Sequence, residues 1–424
     1  MLSTSIRKLS TAKPAFEPPL KGVRVLELGQ LIAGPFCGQL LGHFGAQVIK
    51  IEPPGIGDPL RVWRQLDKDG VSPWFRSLGR NKKSVTLDLR QQEGRDIVKK
   101  LALKSDVILE NFKPGTLEKW GLGPADLHPL NPSLIFTRVS GYGQTGPYSQ
   151  KGGYASVCEG FGGFRYINGY PDPETGVPVG APVRPNISLG DSLAGIHAAF
   201  GTVLALLGRD KNQGRGQTVD TAIYESVLAM MEGLVPEYDR KGLVRGPSGS
   251  SVTGIVPTNA YPSSKPGTFI IIGGNGDSIY ARLMGAIGRP DLTGDDYKNN
   301  ADRVRNQVEI EDAISEWTKI HDPEEILKVM ESARVPAGPI YSAKDIVEDE
   351  HIQARGMIES VDVNPADGSE GWTVKVPGVA PILESTNMSS TAGPNLGSHN
   401  DEILGSLLGY SSTEIEELRK KNVV

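Results

Sequence analysis

The chain of 424 residues is long enough for two or three domains at roughly 150 residues each, which excludes a small scaffold stapled by disulfides or metal. Gly 52 and Pro 31 together make about a fifth of it, short of the roughly 25–30% of a low-complexity chain. With 45 basic against 50 acidic residues the net charge is -5, so neither nucleic acid nor an anionic membrane is an expected partner; two cysteines, Cys37 and Cys158, supply neither a disulfide framework nor a zinc site.

The segment 1–17 carries Arg7, Lys8 and Lys13, is rich in Ser and Thr, and has no acid before Glu17; Leu2, Ile6 and Leu9 share one helical face. It is read as a mitochondrial transit peptide, which places the protein in the matrix. Residues 23–28 read as a buried strand, 35–43 as a helix and 46–52 as a second strand, a compact βαβ unit. The stretch 28–49 has membrane-spanning length, but its five Gly, three Gln, Pro35 and His43 exclude it as a span. A strand at 84–89, a helix at 93–104 and strands at 106–112 and 133–141 continue the alternation. Strands alternating with helices imply an α/β fold with a mainly parallel sheet, whose ligands sit beyond the carboxyl ends of the strands.

The clearest helix is 191–208, with Ala194, Ala198, Thr202 and Ala205 along one edge. From 242 to 267 the composition turns to Gly, Ser, Pro and Thr, as in a mobile loop or domain boundary. A strand at 268–272 and a helix at 279–287 then open a smaller α/β unit that runs to about residue 339. The tail 384–397 is polar and turn-rich, and 414–421 forms a short charged helix.

The turn after the first strand, GQLIAGP at 29–35, lacks the GxGxxG spacing that lets a pyrophosphate approach the backbone, so the dinucleotide reading fails. Walker, nucleophile-elbow and HExxH patterns are also missing. One acid stands out: Asp191 in SLGDSLAG, at the head of the small-residue helix. It reads as an N-cap, or as a carboxylate nucleophile kept ionised by the helix terminus, with Gly190 and Gly195 leaving room for a reactant. The residues alone leave both readings open.

From residue 20 to the C-terminus the chain resembles the class III coenzyme A-transferase family, which includes formyl-CoA transferase, carnitine-CoA transferases and α-methylacyl-CoA racemase. The resemblance rests on LKGVRVLELGQLIAGPFCGQLLGHFGAQVIKIE at 20–52, GDPLR at 57–61, NKKSVTLDLR at 81–90, DVILENFKPGTLEKWGL at 106–122, SGYGQTGPY at 140–148, GDSLAGIHAAFG at 190–201, GRGQ at 214–217 and VPAGPI at 335–340. The chain looks most like the succinyl-CoA:glutarate branch.

The resemblance implies that Asp191 is the catalytic carboxylate, forming a mixed anhydride and then an aspartyl-CoA thioester. It implies CoA contacts at Ile32, Ala33, Leu87, Arg90, Asn111, Phe112, Lys119, Gly153 and Tyr154, with Tyr154 also facing the acyl partner. Arg90 and Lys119 would supply local positive charge and Phe112 would stack on adenine. Pro53 stands where family members often carry a basic residue, so a phosphate contact there is not expected. Coenzyme A thioester enters as substrate; no resident cofactor or metal is implied. Arg184, on the Pro-constrained segment PVRPN, either pairs with the distal carboxylate of a dicarboxylic substrate or bonds loop carbonyls.

Two other activities fit the same scaffold. A racemase would need the Gly-His-Asp of that branch, where this chain has Gly153-Tyr154-Ala155, and Tyr with a pKa near ~10 is a poor general base. A non-catalytic CoA-binding protein is the third reading. The implied architecture is a large Rossmann-like parallel-sheet domain in two parts, 18–225 and 339–424, around a linker and small domain at 226–338, assembled as an interlocked homodimer. Gly246, Gly249 and Gly254 match, loosely in register, the family's mobile glycine loop.

Overall fold

In the computed structural model, which describes residues 16–172, 174–386 and 388–424, the N-terminal apolar runs form β1 (Arg24–Glu27), α1 (Ala33–His43), β2 (Gln47–Glu52) and β3 (Lys82–Thr86). They continue as α2 (Gln92–Ala102), β4 (Val107–Glu110) and β5 (Ile135–Ser140). The transit-peptide expectation falls, through residue 15, outside the described residues. The strands pair in parallel in the order β3-β2-β1-β4-β5, and β6 (Thr218–Ala222) extends the sheet beside β5.

Both faces of this sheet are covered, which is why its strands read as continuous apolar runs. One face packs Ile97, Val98 and Leu101 of α2 with Ile403, Leu404 and Ile415 from the C-terminal region. Against the other lie α1 and, following α3 (Ala155–Phe161), the long helix α4 (Leu189–Lys211). By length and composition α4 could cross a membrane, yet its stripe of Ala194, Ala198, Thr202 and Ala205 is buried in this layer. The hydroxyls of Thr202 and Thr137 of β5 hydrogen-bond at 2.6 Å. It is a core helix of the sheet.

Two features of this unit were not read from the sequence. Strand β6, TVDTA, lacks an apolar run and is put in register by the GRGQ turn before it. Gly214 has φ +75°, the Gly216 N–H donates to the Pro132 carbonyl at 2.8 Å, and the Phe136 N–H donates to the Gln217 carbonyl at 3.0 Å. The second feature is the start of α4, which begins at Leu189 with Ser188 as N-cap; Asp191 is its third residue, so the N-cap reading of Asp191 is corrected.

By internal contacts the chain forms two units. The first holds everything described up to Gly162, Pro185–Met231 and Ala354–Val424; the second holds Gly163–Arg184 and Glu232–Gln353. The boundary near 339 expected from sequence lies instead inside a strand, because Ala337–Pro339 pairs within the second unit's sheet. Residues 163–184 join the second unit through contacts such as the Gly249 N–H donating to the Gly169 carbonyl at 2.9 Å.

The second unit contains an antiparallel sheet of β7 (Thr258–Pro262), β8 (Phe269–Gly273) and β9 (Ala337–Pro339), backed by helices over Asp277–Ala286, Gln307–Lys319 and Pro323–Ser332. Strand β7 falls in the stretch expected to be a loop: TNAYP has no apolar alternation, and its extended state comes from pairing with the apolar FIIIG of β8.

In the first unit the returning chain forms a hairpin, Ile358–Val363 with Trp372–Pro377, and then runs along the β3 edge. There the Gly397 N–H donates to Ser84 Oγ at 2.9 Å, the Thr86 N–H to Asn400 Oδ1 at 2.9 Å and the Asp88 N–H to the Val423 carbonyl at 2.8 Å.

A Cβ at Gly216 would lie 2.1 Å from the Leu134 carbonyl oxygen, a clash with backbone that no rotamer relieves. Gly216→Ala is therefore expected to cost about 1–3 kcal/mol, the range of an overpacked site, read as a lowered midpoint in urea unfolding.

Candidate functional site

The sheet order changes direction between β1 and β4, because β1 is followed by β2 on one side while β4 flanks it on the other. Open parallel sheets bind ligands beyond the carboxyl ends of the strands at such a switch point, where consecutive loops diverge and leave a crevice. Here the loops after β1, β4 and β5 line a cleft of about 360 Å³. Its walls are residues 30–33, 111–114 and 151–154, with Ser140, Gly141, Ile223 and Asp191.

Ile32, Ala33, Asn111, Phe112, Gly153, Tyr154 and Asp191, all singled out from sequence, are thus brought together. Leu87, Arg90 and Lys119, which belong to the same unit, do not line this cleft. Leu87 is fully buried in the core beneath α2. Arg90 is exposed and pairs with Asp88, Nε to Oδ1 at 2.9 Å and Nη2 to Oδ2 at 3.0 Å, and this hydrogen-bonded pairing holds the Asp88 carboxyl down at about 2. Lys119 is exposed at the end of the helical turn Thr116–Lys119, and Arg184 is an exposed residue of the second unit. The cations of the cleft are Lys113 and Lys151. Both lie in or beside motifs already noted, one residue after Phe112 and two before Gly153, but one lysine in a run of polar residues gives no sign of which way it faces.

The side chain of Asn111, in the cleft wall, also binds the neighbouring loop. Its Oδ1 accepts the Gln30 N–H at 2.8 Å and its Nδ2 donates to the Gln30 carbonyl at 2.9 Å, so the amide clasps the β1 loop. Phe112 packs edge-on against Trp120 with ring centroids 5.3 Å apart, and its N–H donates to Glu110 Oε2 at 2.7 Å. Tyr154 is 75% exposed at the rim.

Asp191 is half-buried in the first turn of α4, where the unpaired N–H groups and the helix dipole favour a carboxylate. Glu159, fully buried on α3, accepts the Gly190 N–H at 3.2 Å and so caps this helix in place of Ser188; nothing in its local sequence marks it for that role. The Cys158 thiol is pushed up to about 11 by burial and then by Asp191 and Glu159, which favours the protonated form at neutral pH. Its Sγ donates to the Gly141 carbonyl at 3.3 Å. Gly190 and Gly195 make room for neighbours rather than for a reactant. A Cβ at Gly190 would meet Ile223 and Glu159, and one at Gly195 would lie 2.9 Å from the Ala33 carbonyl.

The loop that carries Ile32 and Ala33 is held from below by buried charge. Lys50 Nζ lies 3.1 Å from Glu27 Oε1, 2.8 Å from Asp58 Oδ2 and 2.8 Å from the Gly29 carbonyl. Lys82 Nζ is 2.8 Å from Glu27 Oε2 and donates to the Pro35 carbonyl at 2.6 Å. Asp58 Oδ1 accepts the N–H groups of Leu31 at 3.1 Å and Leu60 at 2.9 Å, while Glu52 binds Arg61 through both oxygens at 2.7 and 2.8 Å. The GDPLR motif is therefore a strap: Asp58 grips the β1 loop and Arg61 anchors to the end of β2. Burial by itself would drive Lys50 toward neutrality, but Asp58, Glu27 and Glu52 raise its pKa above the ordinary lysine value. Burial opposes ionisation of Glu52 as well, yet Arg61 and Lys50 lower it from 4.5 to about 2.

The family model for CoA-transferase family III matches residues 20–400. Over 408 residues the chain is 46% identical to the succinyl-CoA–D-citramalate CoA-transferase of Chloroflexus aurantiacus, covering 96% of this chain and 98% of that one. It is 33% identical to the succinyl-CoA:glutarate CoA-transferase of Homo sapiens, covering 99% of this chain and 93% of that one. A crystal structure of a CAIB/BAIF family protein from Brucella suis matches with a TM-score of 0.78 at 29% identity, over 92% of this chain and 100% of the other.

Because the folded pKa of Glu52 lies below its unfolded value, the unfolded chain takes up the proton more readily. The stability Glu52 contributes is therefore complete above about 4.5 and drains away as pH falls toward about 2. Glu52→Gln is expected to lose about 3–5 kcal/mol at neutral pH by stranding Arg61, and to show a shallower acid limb than the parent when urea stability is followed with pH.

Proposed function

The chain belongs to CoA-transferase family III, and from that premise we propose that it moves coenzyme A from succinyl-CoA to a short dicarboxylic acid by covalent catalysis at Asp191. The observation that carries this reading is the position of Asp191: a carboxylate on the first turn of a helix, facing a cleft at the switch point of a parallel sheet.

In the first half-reaction the ionised Asp191 attacks the thioester carbonyl of the donor, breaking the C–S bond and giving a mixed anhydride and free CoA thiolate. The thiolate then attacks the aspartyl carbonyl of the anhydride and releases the donor acid, leaving CoA as an aspartyl thioester. The acceptor carboxylate runs the two steps in reverse, attacking the aspartyl thioester and leaving as its own CoA thioester. Thioester is exchanged for thioester, so little driving force is needed, and covalent storage keeps the activated acyl group from water. Lys113 and Lys151 at the cleft provide positive charge for the phosphates of CoA.

For the acceptor, glutarate is the acid the sequence resemblance favoured, and the Chloroflexus relative, at higher identity, is named for D-citramalate. Both acids carry two carboxylates on a short carbon chain, and that shared chemistry defines the proposed substrate class. Import into mitochondria, with residues 1–17 as the transit peptide, is part of the same proposal.

Asp191→Ala and Asp191→Asn are expected to lose at least ~10³-fold in turnover, the scale of removing a nucleophile, while keeping the parent's melting behaviour. Incubation with succinyl-CoA followed by hydroxylamine or borohydride should place a mass change on the peptide containing Asp191; unmodified peptide during full turnover rules out the covalent route. A reporter protein fused behind residues 1–17 is expected to reach the mitochondrial matrix, and a cytosolic reporter rejects the import proposal.

A further inference from the structure

The first unit has a second cleft, of about 900 Å³, on the other face of the first turn of α4. Ser188 and Ser192, one helical turn apart, line it; Asp191, about 100° round the helix from Ser192, faces the cleft already described; and Ile32 belongs to both walls. Its lining is otherwise mostly hydrocarbon, with Phe36 from α1 and Ile196 and Phe200 from α4. The first turn of α4, which carries Asp191, therefore stands between the polar, lysine-bearing cleft and this apolar one.

Two arginines break the apolar lining. The Arg80 guanidinium is committed to the fold, with Nε donating to the Ser77 carbonyl at 2.8 Å and Nη1 to the Pro377 carbonyl at 2.7 Å. Arg64 is exposed, and its guanidinium lies over the ring of Trp74, 4.5 Å from the centroid. Among the described residues no carboxylate lies within ion-pair distance of Arg64, and none accepts a hydrogen bond from it. Its backbone has φ 61°, a left-handed conformation uncommon outside glycine and of the kind found where a side chain must be aimed. A planar cation with one face on an aromatic ring and its N–H edge unspent, at the wall of an apolar cleft, suits a carboxylate at the end of a short carbon chain.

We propose that Arg64 determines specificity by pairing with the distal carboxylate of the dicarboxylic acyl group, whose carbon chain occupies this cleft while its reacting carboxyl stands at Asp191. The proposal rests on the dicarboxylate reading above and deepens it, assigning to Arg64 the role that the sequence alone offered to Arg184. Donor and acceptor are both dicarboxylic, so one guanidinium serves both half-reactions in turn.

The experiment compares the full-length protein with Arg64→Gln and Arg64→Lys. Acceptors are glutarate, citramalate and the monocarboxylate butyrate, and donors are succinyl-CoA and butyryl-CoA. In Arg64→Gln the ratio of kcat/KM for dicarboxylate over monocarboxylate is expected to fall about tenfold or more, through a raised KM for glutarate, citramalate and succinyl-CoA, with Arg64→Lys recovering part of it. Because this ratio is internal to each preparation, it is insensitive to the fraction folded. A parent that strongly prefers dicarboxylates, with an Arg64→Gln variant that keeps the same ratio, overturns the Arg64 assignment alone. A parent that uses butyrate as readily as glutarate overturns the dicarboxylate reading itself.

Discussion

A closed set of buried charges beneath the first loop of the sheet fixes where this protein can hold a ligand. Glu27, Glu52 and Asp58 face Lys50, Lys82 and Arg61 in a region almost without solvent. Such a cluster is costly to desolvate, so it makes little net contribution to stability, but removing any member strands its partner. What it secures is position: Lys50 holds the Gly29 carbonyl and Asp58 the Leu31 N–H of the β1 loop, and Lys82 the Pro35 carbonyl in the first turn of α1 that follows it. Asn111 closes on the same loop through Gln30 from the neighbouring strand. Leu31 itself has φ 64°, a conformation these contacts enforce.

With that loop fixed, the remaining walls follow from the sheet. The strand order opens a crevice between the ends of β1 and β4, and α4 brings Asp191 into it with its first turn. A second ion cluster repeats the principle on the far wall: Arg138 of β5 binds Glu110 at 2.7 Å and Glu118 at 2.7 Å, and Glu110 in turn accepts the Phe112 N–H. Most of the charge in the two clusters therefore positions backbone, leaving few groups to meet a substrate. Lys113 and Lys151 line one cleft, and Arg64 lines the other beside the fold-committed Arg80.

Much of this was legible in the amino-acid sequence. Alternating apolar runs and turn residues located the first five strands to within a few residues, because a sheet covered on both faces demands unbroken apolar strands. Seven of the residues that line the cleft were named through the family resemblance, and the parallel sheet brings them together because the loops after its strands diverge at the switch point. Strands β6 and β7 were not legible: TVDTA and TNAYP take their extended state from the neighbours they pair with, and pairing partners distant in sequence leave no local signal.

The charged residues mark the boundary most sharply. Arg90 and Lys119 were named through the family resemblance and for their charge; in the structure both are exposed, Arg90 pairs with Asp88 two residues away, and neither lines the cleft. Lys113, Lys151 and Arg64 were passed over, and Glu159 appeared to be one more polar residue on a short helix. A side chain's charge is written in the sequence, whereas its direction depends on the rotamer and on which partner lies within about 3 Å, and both are set by the packing of segments far apart in the chain. By itself the sequence determined the α/β class, the family and the acid at the head of α4; only the tertiary structure decided which charges hold the loops and which face the clefts.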